Sequence, residues 1–551
     1  MQPKWVWAFG ILTTALAYFR IYFGVEITDE AYYVAVAYLS SIGGTPYVND
    51  VYFQQNASLV YEPVVYLYHF FFGGTGIILF VRHLYFGLAL SVAVSWTLVL
   101  RRFVRTDFAF LISLLPVTFV LSAVPSLGYN AVGSLGFGLG AALALNGALG
   151  GRTLLPAGFV FSLALFGYPT FAPAVVLLYL AMLFWFWKER GEYRLDVLLS
   201  GVLGAALVVT YFALLVWRVG FENLEFSYEV AVVFGALGSA WDKVRYTIDF
   251  SRESGAPWWT WALAAAASIG LKVWRREWWP VAVFGYGVAC LTLALYGNPP
   301  PSHLFLTFAA LLGIPLFVTR ERSRFWVFAT GIYAITMIQA AVVAWTSGNS
   351  IYNASLASQY ALMMVLMMAA RNSSRAITFA TLVFVNLCLL FWTYNYMYRD
   401  DSLWSLDAVM ESGPWAGMVT SAERKALLEE IEADILRAAE KGRSILFYDS
   451  FPGGYFYTDL YPATRSVFIH PMPYGTPMRE TYYKYYLNPA NRPDVFFQFE
   501  SFPYSRTTGY AYRNSWSMSP DDKFYDQLPR SGEYELLWQR PHYKVWRKKG
   551  L

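Results

Sequence analysis

Charge and cysteine are scarce in this chain. Only 14% of its 551 residues are charged, against about 25% in a soluble globular protein. That deficit excludes an ordinary soluble enzyme of this length, and the 57% of hydrophobic residues points to the membrane. Cysteine occurs twice, as Cys290 and Cys388, each within an apolar run. A disulfide framework and a CxxC site are therefore excluded, and no redox compartment can be inferred. The formal net charge is only +4, and its basic residues follow topology, so nucleic-acid binding has no electrostatic basis. The sequence also has no P-loop, no HExxH, no short-period repeat and no low-complexity tract.

What it has in abundance is long apolar runs and aromatic rings. Aromatics make up 19% of the chain, as suits rings placed at membrane interfaces. A helix needs roughly 20 apolar residues to cross a bilayer. Thirteen runs qualify or come near: 5–24, 77–100, 106–124, 131–149, 154–168, 171–187, 195–217, 258–274, 279–297, 303–319, 324–346, 357–370 and 375–396. The first has a lone Lys4 and no small-x-small cleavage pattern, so it reads as a retained span and not a removed signal peptide. Segment 60–74 is aromatic but short and contains Pro63, which reads as interfacial or re-entrant.

Basic residues fall in every second loop. They are Arg101, Arg102 and Arg105; Arg152; Lys188, Arg190 and Arg194; Lys272, Arg275 and Arg276; Arg320, Arg322 and Arg324; and Arg371 and Arg375. The loops 125–130, 298–302 and 347–356 have no Lys or Arg. This positive-inside pattern puts the N-terminus in the cytoplasm and the C-terminal region outside a multi-pass cell-membrane protein. The expected organisation is an α-helical polytopic domain over 1–399, with outer segments 25–76 and 218–257. A small soluble extracytoplasmic α/β domain over 400–551 follows it. There, Thr420-Ser-Ala-Glu423 reads as a capping box for a helix closed by Gly442. Segments 444–449, 466–469, 494–499, 534–539 and 542–547 read as strands.

Three carboxylates stand just past the first span. Asp29 and Glu30 should lie at headgroup level, where an ionisable group is costly unless it is paired or lines a wet cavity. The competing reading is that Thr28 and Asp29 cap a helix beginning at Ala31. Asp50 ends the turn GGTPYVND and is a turn former by type. Gly43, Gly44 and Pro46 would fold that turn back so that Asp50 faces Asp29.

The run from Asp29 through Ser91 resembles the start of polytopic glycosyltransferases of the C-type fold. These include the dolichyl-phosphate-mannose protein mannosyltransferases and the lipid A aminoarabinose transferases. The resemblance rests on the Asp29-Glu30 pair, the Gly-Thr-Pro46-Tyr-Val-Asn-Asp50 turn, and Arg82 at the head of the next long span. It is clearest over 5–190. It implies transfer of a hexose or pentose from a polyprenyl-phosphate carrier, such as dolichyl phosphate, to a glycan, lipid or protein acceptor outside. The first-loop Asp29 is then the catalytic base, with Glu30 or Asp50 orienting the acceptor or sharing a divalent cation with it. No cofactor is certain, and metal dependence is left open, with Asp29 and Asp50 as the ligands to consider.

A phosphate leaving group needs cationic contacts. Arg82 offers a fork for phosphate oxygens, or else anchors the span. His303, after the Asn298-Pro-Pro-Pro loop, or His83 would be a second contact; a structural histidine is the alternative. In the next outer loop, where the family often has an acid, this chain has Asn130. Asn130 can bond a sugar, complete a metal shell or cap the helix at Ala131. The Lys-Pro-Pro-Leu element of aminoarabinose transferases is replaced by Gln54-Gln55-Asn56, and the Trp-Trp-Asp-Tyr-Gly signature of oligosaccharyltransferases is missing. Asn56-Ala-Ser58 and Asn353-Ala-Ser355 are formal glycosylation sequons.

Glu222, Glu225, Glu229, Asp242 and Arg245 in the 218–257 loop would shape acceptor entry. Aromatics of 454–462 and 514–518 either stack on sugars or form the small domain's core. Two other classes compete: a transporter or flippase of lipid-linked glycans, and an inactive scaffold of the same fold in envelope assembly. A transporter should place ionisable groups at mid-membrane, whereas these acids gather at one rim.

Overall fold

The structure is a computed structural model that describes residues 3–150, 153–189, 194–235, 241, 245, 302–317, 323–347, 350–448, 451–468, 484–503, 511–513 and 527–551. The spans expected at 258–274 and 279–297, Cys290, Asp242 and residues 514–518 lie outside the described residues. Among the described residues, six helices are long and apolar enough to cross a membrane, with shorter apolar helices beside them. The count of thirteen spans is thus not established, although the chain is plainly a multi-pass, predominantly helical membrane protein.

The helices that build the site are α1 (Pro3–Arg20), α2 (Asp29–Tyr38), α3 (Gln55–Phe72), α4 (Ile77–Leu100), α5 (Thr106–Ser113), α6 (Leu115–Thr118) and α7 (Tyr129–Ala148). Then follow α8 (Leu154–Gly167), α9 (Ala172–Glu189), α10 (Arg194–Val219), α11 (Phe221–Gly235), α12 (Ser302–Leu312), α13 (Ile314–Phe317), α14 (Arg324–Thr346), α15 (Ser355–Asn372) and α16 (Arg375–Asn395). α15 is buried along nearly its whole length and forms the spine of the bundle. α7 packs on it through glycine: a Cβ at Gly138 would lie 2.0 Å from the Tyr360 hydroxyl. Small residues let membrane helices approach this closely.

One sequence expectation gains its element here and another changes. Segment 60–74 belongs to the 18-residue helix α3, which exposes Tyr66, Leu67, Phe70, Phe71 and Phe72 along one side. The expected span 106–124 is interrupted instead. Pro116 is the second residue of α6, and because proline has no N–H and clashes with the preceding turn, the hydrogen-bond ladder of α5 does not run through it. From Phe119 the chain is extended and then makes a short 3₁₀ turn, Leu121–Ala123. Irregular backbone at membrane depth is tolerated where it lines a cavity, and this stretch does so.

The C-terminal region holds α17 (Ala422–Ala439) and a five-stranded mixed sheet. Short ladders pair β1 (Ala408–Val409) with β2 (Val419–Thr420), and β6 (Ser501–Pro503) with β7 (Ala511–Arg513). The strands of the larger sheet are β3 (Ser444–Tyr448), β4 (Tyr461–Pro462), β5 (Val495–Phe499), β8 (Tyr534–Gln539) and β9 (Tyr543–Lys548), in the order β4-β3-β5-β9-β8. β3 runs parallel to both β4 and β5; β9 is antiparallel to β5 and β8. Segment 466–469 is expected as a strand, but Ser466–Phe468 are irregular, with a bend at Val467. The cap of α17 sits one residue later than the capping box implied: Ser421 accepts from Arg424 N, while Thr420 closes β2 and donates to Asp400. Tyr455 and Phe456 are buried core. Asn56, Ser58, Asn353 and Ser355 are fully buried, which closes both sequons to a glycosylating enzyme.

This region docks on the ends of α1 and α4 through backbone bonds. Gly24 N donates to Val419 O (2.9 Å), Val419 N to Tyr22 O (2.8 Å), and Gly76 N to Gly413 O (2.9 Å). The first loop, the start of α7 and the C-terminal sheet therefore meet at one end of the bundle. Arg102 bonds Asn146 at the other end.

Candidate active site

The site begins with a buried glutamate that the sequence reading passed over. Glu26 lies between α1 and α2, and its carboxylate accepts Thr28 N (3.0 Å), Glu30 N (2.5 Å) and the Thr28 hydroxyl. It thus satisfies two of the four orphan backbone donors at the start of α2. Thr28, at the N-cap position, makes no side-chain cap bond. Asp29 is not needed as a cap and turns to a cavity of about 70 Å³.

Asp29 is held by its partners from the far end of the chain. Its Oδ2 accepts the Tyr398 hydroxyl at 2.6 Å and lies 3.5 Å from Arg399 Nη1. Arg399 also lies 3.9 Å from Glu26 Oε1 and donates to the Thr28 hydroxyl. Its backbone has φ of 54°, a left-handed conformation that is strained for a non-glycine residue and often marks functional sites. Burial, and then the charge of Asp29, push the Glu26 carboxyl up to about 7; Arg399 opposes this. Burial and Asp29 likewise hold the Tyr398 phenol well above its ordinary range, so it remains a donor. The side chain of Asp29 keeps 30% of its surface exposed. It is the one carboxylate in the cavity wall among the described residues.

The remaining expected site residues divide. Asn130 lines the same cavity as Asp29. Glu30 does not: it is fully buried and grips Arg82 in a two-pronged pair, Nε to Oε1 at 2.7 Å and Nη2 to Oε2 at 2.6 Å. The other Arg82 donors reach Ile21 O (2.7 Å), Phe23 O (3.0 Å) and Gly24 O (2.8 Å). A guanidinium has five N–H donors, and all are taken, so Arg82 has none left for a phosphate. Residues one apart on a helix point in different directions, which is why Asp29 and Glu30 part company.

Asp50 does not face Asp29 either. Its carboxylate is enclosed by the Tyr32 hydroxyl (2.9 Å) and Ser466 Oγ (2.9 Å), which tie the first loop to the C-terminal region. The expected Asp29–Asp50 metal pair is therefore not assembled, and no cluster of three metal-ligating side chains occurs among the described residues. His303 is fully buried, bonded to Ser355 Oγ at 2.9 Å and stacked on Tyr352 at 3.6 Å. It supports Phe119 in the cavity wall without reaching the cavity. His83 is bonded to Leu79 O, Tyr18 and Tyr22. In the 218–257 loop, Glu222, Glu225 and Glu229 lie on α11.

Sequence reasoning missed Glu26, Tyr398 and Arg399. A signal was there, because Arg399-Asp400-Asp401 directly follows an apolar span, as Asp29-Glu30 does.

No protein-family model matches this chain, and no curated protein matches it. Among solved structures, that of ArnT from Cupriavidus metallidurans bound to undecaprenyl phosphate is similar over 99% of this chain and 98% of that one, with a TM-score of 0.45 and 13% identity. At that identity it assigns no role to any residue here.

Proposed function

We propose that this chain is an integral-membrane glycosyltransferase. It moves a sugar from a polyprenyl-phosphate carrier to an acceptor hydroxyl at the extracytoplasmic face, with inversion and with Asp29 as general base. The observation that carries this reading is a partly exposed carboxylate in a cavity at the loop end of the bundle, braced by Tyr398 and Arg399. The acceptor oxygen attacks the anomeric carbon and Asp29 takes its proton. The anomeric C–O bond to phosphate breaks, and the electron pair leaves with the polyprenyl phosphate. Such a donor already has a good leaving group, so a base suffices, contributing about 10²–10⁴-fold. Asn130 contacts substrate, and Arg399 takes the phosphate-facing role first given to Arg82, because a cation beside the departing charge stabilises it. The acceptor-entry role of α11, the outer position of residues 400–551 and a cytoplasmic N-terminus belong to the same proposal.

The test is transfer from polyprenyl-phosphate-linked sugars by the full chain in nanodiscs. Asp29→Asn should lower transfer by roughly 10²–10⁴-fold while donor binding and Tm stay at wild-type values. Transfer within a few-fold of wild type would remove Asp29 from the chemistry.

A further inference from the structure

We infer that Ser126, Gln359 and Asn130 form a subsite that reads hydroxyl groups, taking the neutral polyhydroxylated ring that is transferred. The inference rests on the glycosyltransferase reading and goes further by assigning two residues that nothing above uses. Ser126 Oγ, Asn130 Oδ1 and Gln359 Oε1 are buried and have no hydrogen-bond partner among the described residues. All three residues line the cavity beside Asp29, and Ser126 and Gln359 are each only 2% exposed. A buried acceptor without a donor costs about 1–3 kcal/mol, so three on one wall mark a place where a ligand supplies the donors.

The orientation of Gln359 is fixed by its neighbours. Its Nε2 donates to Leu356 O at 3.1 Å and to Ser134 Oγ at 2.8 Å. A backbone carbonyl only accepts, so the amide nitrogen must face it and Oε1 is the end left over. An amide oxygen accepts only, and the ligand must therefore bring O–H or N–H groups. Charge chooses between a hydroxyl and an ammonium. Asp29 is already matched by Arg399 at 3.5 Å, so an ammonium would find no unmatched anion and would meet a nearby cation. A neutral polyol meets neither penalty. Tyr33, Tyr85 and Phe119 complete the wall, and aromatic faces, negative at their centres, suit the C–H face of a sugar ring.

The experiment measures binding to the full chain in nanodiscs without any donor lipid. The probes are methyl β-D-glucopyranoside, methyl α-D-mannopyranoside and methyl 2-amino-2-deoxy-β-D-glucopyranoside, with undecaprenyl phosphate measured separately. At least one neutral glycoside should bind, and Ser126→Ala and Gln359→Met should each weaken it roughly threefold to tenfold. Undecaprenyl phosphate affinity should not change in either variant. If Gln359→Met does not fold, Ser126→Ala decides alone, because it deletes one oxygen. The inference is overturned if no glycoside binds, if neither variant weakens binding, or if the amine probe binds more than tenfold tighter than its neutral counterpart. Failure of undecaprenyl phosphate to bind would instead strike the glycosyltransferase reading and leave the subsite standing.

Discussion

Glu30 and Arg82 are a buried ion pair whose worth depends on both members being present. The pair is almost wholly removed from solvent, with side-chain exposures of 0% and 2%, and the buried Arg20 lies near both members. Removing one member of such a pair costs about 3–5 kcal/mol, because the survivor is left charged and unmatched, whereas replacing both by apolar residues is often neutral. Glu30→Gln should therefore lower Tm sharply or prevent recovery of folded protein. Arg82→Lys should not substitute, since an ammonium has three donors where five acceptor contacts wait. The double variant Glu30→Leu/Arg82→Met should regain only part of the lost Tm, because Met leaves Ile21 O and Gly24 O without the donors Arg82 gave them, and thermal unfolding of the three proteins checks this. Single variants as stable as wild type would mean the pair is not buried. Asp29→Asn, by contrast, should leave Tm where it is. In the sequence these neighbouring acids look interchangeable; what separates them is the helix phase, set when Glu26 caps α2.

Elements show where the sequence is legible. The apolar runs mark the helices well, because the cost of exposed backbone in lipid forces each run to satisfy its own hydrogen bonds. The site residues at the start of α2 were legible for the same reason, since charge at the end of a span is expensive. The α5–α6 break was not, because 108–124 carries no charge and only Pro116 signals it. Tyr398 and Gln359 were not legible either, and Arg399 showed only as a charge at the end of a span, since the meaning of all three comes from contacts with residues hundreds of positions away. The α7–α15 seam has the same non-local character and can be tested. Trp96 Nε1 donates to Gly138 O at 3.0 Å, and the Tyr360 hydroxyl donates to Ser134 O at 2.8 Å. Gly138→Ala places a methyl against that hydroxyl and should cost about 1–3 kcal/mol of overpacking. Tm should fall, and transfer should fall with it, because Ser134 also holds the Gln359 amide. An unchanged Tm would show that the two helices do not meet at this point.

At the scale of the whole molecule, side chains join the C-terminal region to the bundle alongside the backbone bonds, and two of these anchors differ in charge. One carries charge: Arg424, paired within the region with Asp400 at 3.4 Å, donates to Val25 O at 2.8 Å, and Asp400 accepts from Val25 N at 2.6 Å. The other is Asp50, enclosed by Tyr32 and Ser466, with the phenols of Tyr47 and Tyr455 nearby and no cation paired with it among the described residues. Burial pushes its carboxyl from 3.8 up to about 7, while bonds from Tyr32, Ser466 and the backbone of Tyr52 and Val467 oppose the rise. Below about pH 4 the group is protonated both folded and unfolded, and it costs nothing. Between about 4 and 7 the unfolded chain gives up its proton first, so stability falls as pH rises. Above about 7 the loss is complete, roughly 4 kcal/mol for some three pH units. Glu26, raised to about 7, adds a slope of the same sign. Asp50→Asn should remove the Asp50 share. Asparagine can keep the seal, because Ser466 Oγ already lies 3.1 Å from Phe468 O and can donate there while accepting from the new amide. Tm measured from pH 5 to 8 should decline in the wild type and decline less in Asp50→Asn, with the variant the more stable of the two at pH 8. A wild type that gains stability over that range, or two parallel curves, would mean that Asp50 is ionised in the folded protein and that the sheet is held to the bundle by something other than a protonated clasp.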